Sequence, residues 1–174
     1  MNPANEVKFS YLLGNPHTTR PVNIGAERIA LARPEALVTT TMTELARYLM
    51  AGHTISPAIL EGGMSASNFT SQQIFMTDHD KGLTVEEALE RCDKCNIKPD
   101  FGYFTFGSTP ELPKFRLCFL LDKPVTTEQD RLLMIEYFLG TVFPEADQNC
   151  RDACRIFFGA GAMGVIPCFQ KVIS

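Results

Sequence analysis

The sequence contains no long hydrophobic run and no excess of positive charge. Its longest uncharged apolar stretch is much shorter than a membrane span, so we expect no membrane segment. The first residues, Met-Asn-Pro-Ala-Asn-Glu, contain no basic region followed by an apolar one, so no secretory signal is predicted. We therefore expect a cytoplasmic protein whose six cysteines stay reduced.

The charge balance limits the kind of partner. Sixteen Lys and Arg against twenty Asp and Glu give a net charge of −4. This argues against a large non-specific nucleic-acid surface, because neutralising phosphates requires clustered Lys and Arg. A local basic groove, or a contact made by a neighbouring domain, is compatible with it. The 174 residues contain no internal repeat and fit one domain with a hydrophobic core.

The cysteines leave a zinc alternative open. Cys92 and Cys95 are separated by two residues, and Cys150 and Cys154 by three, so four thiolates could form a structural zinc site. The first pair falls inside a helical pattern, whereas zinc-binding Cys-x-x-Cys pairs more often lie on tight turns. Buried free thiols are therefore the expected state.

An acidic pair follows an apolar run at residues 73–77. In a strand, side chains two residues apart point to the same face, so Asp78 and Asp80 would leave the strand end side by side. A divalent cation such as Mg²⁺ would offset their repulsion. The alternative is an ordinary turn after a strand. His79 lies between them on the opposite side and is expected to be packed. Removing both acids is expected to leave the protein folded, because it relieves a like-charge contact.

Two later segments add charged groups that suit the same chemistry. In Lys114–Leu121 one strand face carries Phe115, Leu117, Phe119 and Leu121, and Arg116 lies on the other. The segment from Asp147 to Gly159 adds a third carboxylate and Arg155. Carboxylates hold metals that bridge phosphate oxygens, while Arg and Lys neutralise the remaining charge, so the set is typical of metal-assisted phosphoryl transfer.

Periodicity predicts an α+β fold with helices on one face of a mostly antiparallel sheet. Residues 7–12 are expected to form a strand and residues 14–40 to be irregular. Three helices are predicted from capping signals and apolar spacing at about 43–51, 85–95 and 127–140. The remaining strands are the acidic-pair strand, a hairpin of 101–106 with 115–121, and a short final strand at 155–158.

These motifs resemble the archaeo-eukaryotic primase superfamily, in particular the primase-polymerase domains of plasmid, phage and mobile-element replication proteins. The resemblance covers about residues 42–160 and rests on three segments, Asp78–Asp80, Tyr103–Arg116 and Asp147–Gly159. It implies an RRM-like sheet within a single domain of 1–174. Residues 1–40 would form an N-terminal α/β extension and residues 41–160 the catalytic core.

The resemblance also implies roles for individual residues. The metal ions, Mg²⁺ or Mn²⁺, would be held by Asp78, Asp80 and Asp147, with Asp152 as the fallback for the third acid. The implied substrate-binding residues are Ser108, Lys114, Arg116 and Arg155. In that family a histidine usually accompanies the second-motif serine, whereas here Thr109 follows Ser108 and no histidine lies near it.

Three functions are compatible with these features of the sequence. The first is a nucleotidyltransferase, a DNA primase or polymerase domain acting in replication. Its partners would be nucleotides, a DNA template, and a helicase or C-terminal domain outside this chain. The second is a catalytically impaired module of the same fold that binds nucleotides or nucleic acid, which the absent histidine and the acidic charge favour. The third is a structural domain whose Asp-x-Asp sequence is incidental.

Overall fold

The computed structural model describes residues 6–174, and in this range the chain folds into two antiparallel sheets flanked by helices. The strands are β1 (Phe9–Pro16), β2 (Leu37–Thr40), β3 (His53–Ser56), β4 (Ala58–Leu60), β5 (Phe69–His79), β6 (Phe101–Phe104) and β7 (Phe115–Val125). The α-helices are α1 (Ile24–Leu31), α2 (Met42–Met50), α3 (Val85–Lys94) and α4 (Glu128–Glu136). The predicted α+β class is therefore confirmed.

The larger sheet has the strand order β4-β5-β7-β6, and all of its pairings are antiparallel. The predicted hairpin is confirmed, since β6 pairs with β7 across a short loop. In the smaller sheet β1 lies between β2 and β3. Because β1 carries Phe9 and Tyr11 into the same core cluster as Phe75 and Phe115, both sheets share one core. The boundary at residue 40 stays a prediction.

Helix caps position three of the four α-helices as the sequence indicated. Thr41 and Thr84 each accept a hydrogen bond from the backbone of the glutamate three residues later, which in turn bonds back to the cap residue. Helix α4 begins after Thr127 as expected but ends at Glu136, and a π-helical turn, Tyr137–Val142, continues it. No helix within residues 6–174 is long and apolar enough to cross a membrane.

The prediction that residues 14–40 are irregular is wrong. They contain α1 and β2. Asn23 caps α1 by accepting a hydrogen bond from the Ala26 N–H, and the helix buries Ala30 and Leu31. An eight-residue helix among three prolines has too short an apolar stripe to be read from periodicity, and it forms because tertiary packing stabilises it.

The predicted final strand at 155–158 is also wrong. Only Phe157 pairs, in an isolated bridge with Ile55, through two backbone hydrogen bonds of 2.8 and 2.9 Å. The edge of the larger sheet beside β5 is occupied by β4. Segment 155–158 therefore crosses towards the smaller sheet, and this path carries Arg155 past the end of β5.

His79 is a packed core residue, as its position on β5 indicated. Its ring lies 4.9 Å from the Phe115 ring and 4.6 Å from the Phe143 ring, and Nε2 is 2.8 Å from the Thr77 hydroxyl. Burial lowers the pKa of His79 to about 4, although the charges of Asp78 and Glu145 act in the opposite direction. The imidazole is therefore neutral in the folded protein at neutral pH.

This burial predicts an acid-sensitive contribution to stability. A histidine whose pKa is depressed in the folded state stabilises fully above the unfolded pKa of about 6.5, and this stability is lost as the pH falls towards 4. The loss should reach roughly 3 kcal/mol. Urea unfolding measured between these pH values should show it in the wild type and not in His79→Phe, which keeps a ring at this position. Parallel curves for the two proteins would contradict the assignment.

Candidate active site

The pairing of β5 with β7 places a carboxylate directly opposite a guanidinium. Asp78 on β5 is the register partner of Arg116 on β7, and Arg116 is in turn the partner of Tyr103 on β6. Asp80 follows the last residue of β5 and is exposed. The alternation that points His79 into the core points Asp78 the other way, towards a cavity.

This cavity has a volume of about 610 Å³ and is lined by charged side chains of both signs. Its acidic residues are Asp78, Asp80, Asp147 and Asp152, and its basic residues are Arg20, Arg28, Lys114, Arg116 and Arg155. Six of the seven residues assigned from the sequence thus line one space. Their roles in binding or catalysis stay predictions.

Arg116 is the fixed cation of the cavity. Its side chain is only 10% exposed. Its Nη2 donates to the Asp78 carboxylate at 3.0 Å, and Nη1 donates to the Phe158 carbonyl at 2.7 Å. Burial alone would lower the pKa of Arg116, but Asp78 and Tyr103 outweigh it and the net effect raises the pKa. The guanidinium therefore stays charged and holds one orientation.

Arg155 is less constrained. Its Nη2 lies 2.8 Å from the Asp147 carboxylate and 3.6 Å from that of Asp78, and the side chain is 29% exposed. In residues 6–174 its guanidinium hydrogen-bonds only to a carboxylate, whereas that of Arg116 also bonds to the backbone. Both guanidiniums lie over the Phe157 ring, at 5.4 Å for Arg116 and 5.8 Å for Arg155.

Asp147 reaches the cavity through backbone contacts with β5. Its N–H donates to the Asp78 carbonyl at 3.0 Å. Its carboxylate accepts a hydrogen bond from the Asn149 N–H, which caps the 3₁₀ turn Gln148–Arg151. The first and third acidic motifs, about 70 residues apart in sequence, are therefore joined at one strand end.

The donor set suits a hard cation, subject to competition from arginine. Among residues 6–174, no three carboxylate, imidazole or thiol groups converge closely enough to hold one metal ion. Asp78 and Asp147 each bond an arginine through Oδ2. The Oδ1 of Asp78 makes no hydrogen bond within the described residues, and Asp80 is open to solvent. Carboxylate oxygens are the ligands that Mg²⁺ prefers, so these residues fit Mg²⁺ or Mn²⁺ once Arg155 moves aside.

The cysteines do not suit zinc. Burial raises the pKa of Cys92 to about 11 and that of Cys150 to about 12, which disfavours the thiolates that zinc requires. The six cysteines form no disulfide in the described residues; Cys92, Cys118 and Cys150 are buried, Cys95 and Cys154 are half-buried and Cys168 is exposed. The absence of zinc stays a prediction.

Ser108 does not line the cavity. Its hydroxyl accepts a hydrogen bond from the Lys114 N–H at 2.9 Å and donates to the Met163 sulfur. Ser108 thus shapes the hairpin loop that brings Lys114 to the cavity, and its role as a substrate ligand stays a prediction. Sequence reasoning missed Arg20 and Arg28, because they belong to no motif and lie in the stretch expected to be irregular.

No protein-family model matches this chain, and no curated protein matches it in sequence. A solved structure with a similar fold is the AEP domain of the primase-polymerase of cyanophage S-2L. The alignment has 14% identity and a TM-score of 0.50, and it covers 88% of this chain and 75% of the phage domain. The chain therefore has a fold similar to that of this phage domain, which agrees with the fold that the sequence motifs indicated.

The ion pair between Asp78 and Arg116 changes the effect expected from removing Asp78, which was predicted to leave the protein folded. Because Asp78 compensates a buried guanidinium, Asp78→Ala should lower the free energy of unfolding by about 3–5 kcal/mol. The exposed Asp80 provides the control, and Asp80→Ala should change it by less than about 0.5 kcal/mol. Urea denaturation of both variants measures the difference. Two small and equal losses would show that Arg116 does not need Asp78.

Proposed function

We propose that this chain is a metal-dependent nucleotidyltransferase domain of the primase-polymerase type, which adds nucleotides to a 3′-hydroxyl on a DNA template. The observation that carries the proposal is that three carboxylates and three cations, drawn from three separate segments, line one cavity in a primase-type fold.

The carboxylates would act as metal ligands. Asp78, Asp80 and Asp147 would hold Mg²⁺ or Mn²⁺, which would lower the pKa of the attacking hydroxyl and neutralise charge on the leaving pyrophosphate. Asp78 and Asp80 come from one strand end, and Asp147 is tied to it by its backbone.

The cations would divide the phosphate binding between fixed and mobile groups. Arg116 keeps its orientation through the Phe158 carbonyl and presents a fixed charge to the nucleotide. Lys114 extends from the hairpin loop as a point charge. Arg155 would exchange its carboxylate partners for phosphate oxygens, because it has no backbone acceptor in the described residues to hold it.

A second function also has specific support. Thr109 stands where the family pattern has a histidine, and the Ser108 hydroxyl is engaged by Lys114 and Met163. Both features favour a module that binds nucleotide with metal but turns over slowly or not at all. Full activity would require another group to replace the missing cation.

Primer extension tests the choice between these functions. The wild type should extend a primed DNA template in Mn²⁺, and Asp78→Asn or Asp147→Asn should reduce the rate at least about hundredfold, since each removes several kcal/mol of charge stabilisation. Asparagine keeps an oxygen for the arginines and limits unfolding. Asp122→Asn, an exposed residue of β7 outside the cavity, is the matched control.

Each outcome identifies one function. Mn²⁺-dependent binding of nucleotide without extension by the wild type would favour the impaired module. Equal binding of Mn²⁺ to the wild type and to both site variants, with unchanged extension, would refute the carboxylate assignment.

Arg155 should have opposite effects on metal and nucleotide. Since the guanidinium and a metal ion claim the same carboxylate oxygens, Arg155→Met should tighten Mn²⁺ binding about threefold, a modest gain because the pair is partly exposed. The same variant should weaken binding of a nucleoside triphosphate. Titration calorimetry measures both affinities, and Arg151→Met, whose partner Glu136 lies outside the cavity, is the control. If both affinities fall together, Arg155 does not compete with metal.

A further inference from the structure

The N-terminal part of the chain forms one wall of the cavity. Ile24 and Arg28 are separated by one helical turn on α1, and both line the cavity together with Arg20 from the preceding loop. Beside this cavity-lining stripe, α1 buries Glu27, Ala30 and Leu31. The direction of Arg28 is therefore set by the packing of α1.

Helix α1 is firmly attached to the smaller sheet. Leu31 packs with Leu12 of β1 and with Ala36. The Glu27 carboxylate, 4% exposed, lies 2.8 Å from Nε2 of His17, just past the end of β1. Apolar contacts of Leu31 and the polar contact of Glu27 thus hold α1 against the smaller sheet. They fix the position from which Arg28 reaches the cavity.

The cations of this wall differ in pairing from those near the acids. Arg116 and Arg155 form salt bridges with Asp78 and Asp147. In the described part of the chain, neither Arg20 nor Arg28 forms a salt bridge. Arg28 makes a hydrogen bond of 3.4 Å to the Met64 carbonyl and lies near Asp152 and Cys154. In a protein with a net charge of −4, exposed unpaired arginines gathered at one cavity indicate an anionic ligand.

The ligand must extend across the cavity. A triphosphate placed near the acids would be matched by Lys114, Arg116 and Arg155, which lie on β7, its hairpin loop and the third motif. Arg20 and Arg28 come from a separate element. Ile24 lines the cavity between them and is 39% exposed, and Val22, two residues after Arg20, is 96% exposed. A ligand with both phosphates and apolar faces suits this alternation of charged and apolar side chains.

We propose that the wall formed by Arg20, Ile24 and Arg28, with the exposed Val22 beside it, binds the sugar-phosphate backbone of a single-stranded nucleic acid, which runs from there towards Asp78. The arginines contact phosphates, and the apolar side chains pack against sugars and bases. This site rests on the proposed function, because it supplies the strand on which the nucleotide would be added. It accounts for strand binding by a chain whose overall charge is negative.

Salt-dependent binding tests the proposal. Fluorescence anisotropy of a labelled oligodeoxythymidylate of about 12 nucleotides, within the range of single-strand site sizes, is measured with the complete 174-residue chain at several salt concentrations. For Arg20→Gln/Arg28→Gln, the slope of log affinity against log salt should fall by about 1.4, since each phosphate contact on a single strand contributes about 0.7. Arg20→Lys/Arg28→Lys should keep the wild-type slope.

The matched control removes the same charge elsewhere. Arg33→Gln/Arg47→Gln alters two exposed arginines that do not line the cavity, and it should leave the slope unchanged. Equal losses in both glutamine variants would overturn the proposal, because binding would then follow net charge alone. Competition by polyglutamate as strong as that by unlabelled oligonucleotide would overturn it in favour of an acidic polypeptide.

The experiments distinguish a failure of the proposed nucleotidyltransferase function from a failure of the strand site. Strand binding that depends on Arg20 and Arg28, together with no metal-dependent nucleotide binding, would support the strand site and refute the nucleotidyltransferase proposal. Nucleotide addition with no change of salt slope in Arg20→Gln/Arg28→Gln would refute only the strand site. Mn²⁺-dependent nucleotide binding by this variant should match that of the wild type, which also verifies its folding.

Discussion

The buried guanidinium of Arg116 is the group on which the geometry of the site depends. A permanent charge in a side chain only 10% exposed must be compensated, and the Asp78 carboxylate and the Phe158 carbonyl do so. These partners come from β5 and from the end of the third motif segment, Asp147–Gly159. One ion pair thus fixes how the strands and that segment meet, and the cavity forms where they converge.

The arginines that line the cavity differ in how firmly their side chains are held. Arg116 is fixed by strand and backbone, and Arg155 is bound only by carboxylates. Arg20 and Arg28 form no salt bridge within residues 6–174, although Arg28 lies near Asp152. Because the arginines differ in this way, the cavity could bind both metal ions and phosphates without any change in the sheet. Metal ions would compete for the loosely held acids, while phosphates would be drawn to the free arginines.

Much of the fold could be predicted because its signals are local. Capping boxes at Thr41 and Thr84 mark α2 and α3, and alternation along β5 separates His79 from Asp78. The fold class and the hairpin followed from the same patterns. The short helix α1 and the single bridge at Phe157 could not be predicted, since each depends on a tertiary partner.

Six of the residues assigned from the sequence line one cavity, and their roles stay predictions, but the electrostatics of that cavity could not be predicted. Motif order brought Asp78, Asp147 and Arg155 together, but nothing in the sequence states that arginines pair with the acids. That pairing comes from strand register and from the path of segment 155–158. Arg20 and Arg28 were missed for the same reason, because their distance from the acids in sequence conceals their place on the cavity wall.

Anomalous scattering from manganese in crystals grown with Mn²⁺ and a nucleoside triphosphate tests the central claim most directly. We expect a peak about 2.1 Å from carboxylate oxygens of Asp78 and Asp147, with the Arg155 guanidinium moved from them to the triphosphate. Arg116 should keep its contact with Phe158. A nucleotide bound outside the cavity, with Arg155 still joining the two carboxylates, would contradict the account.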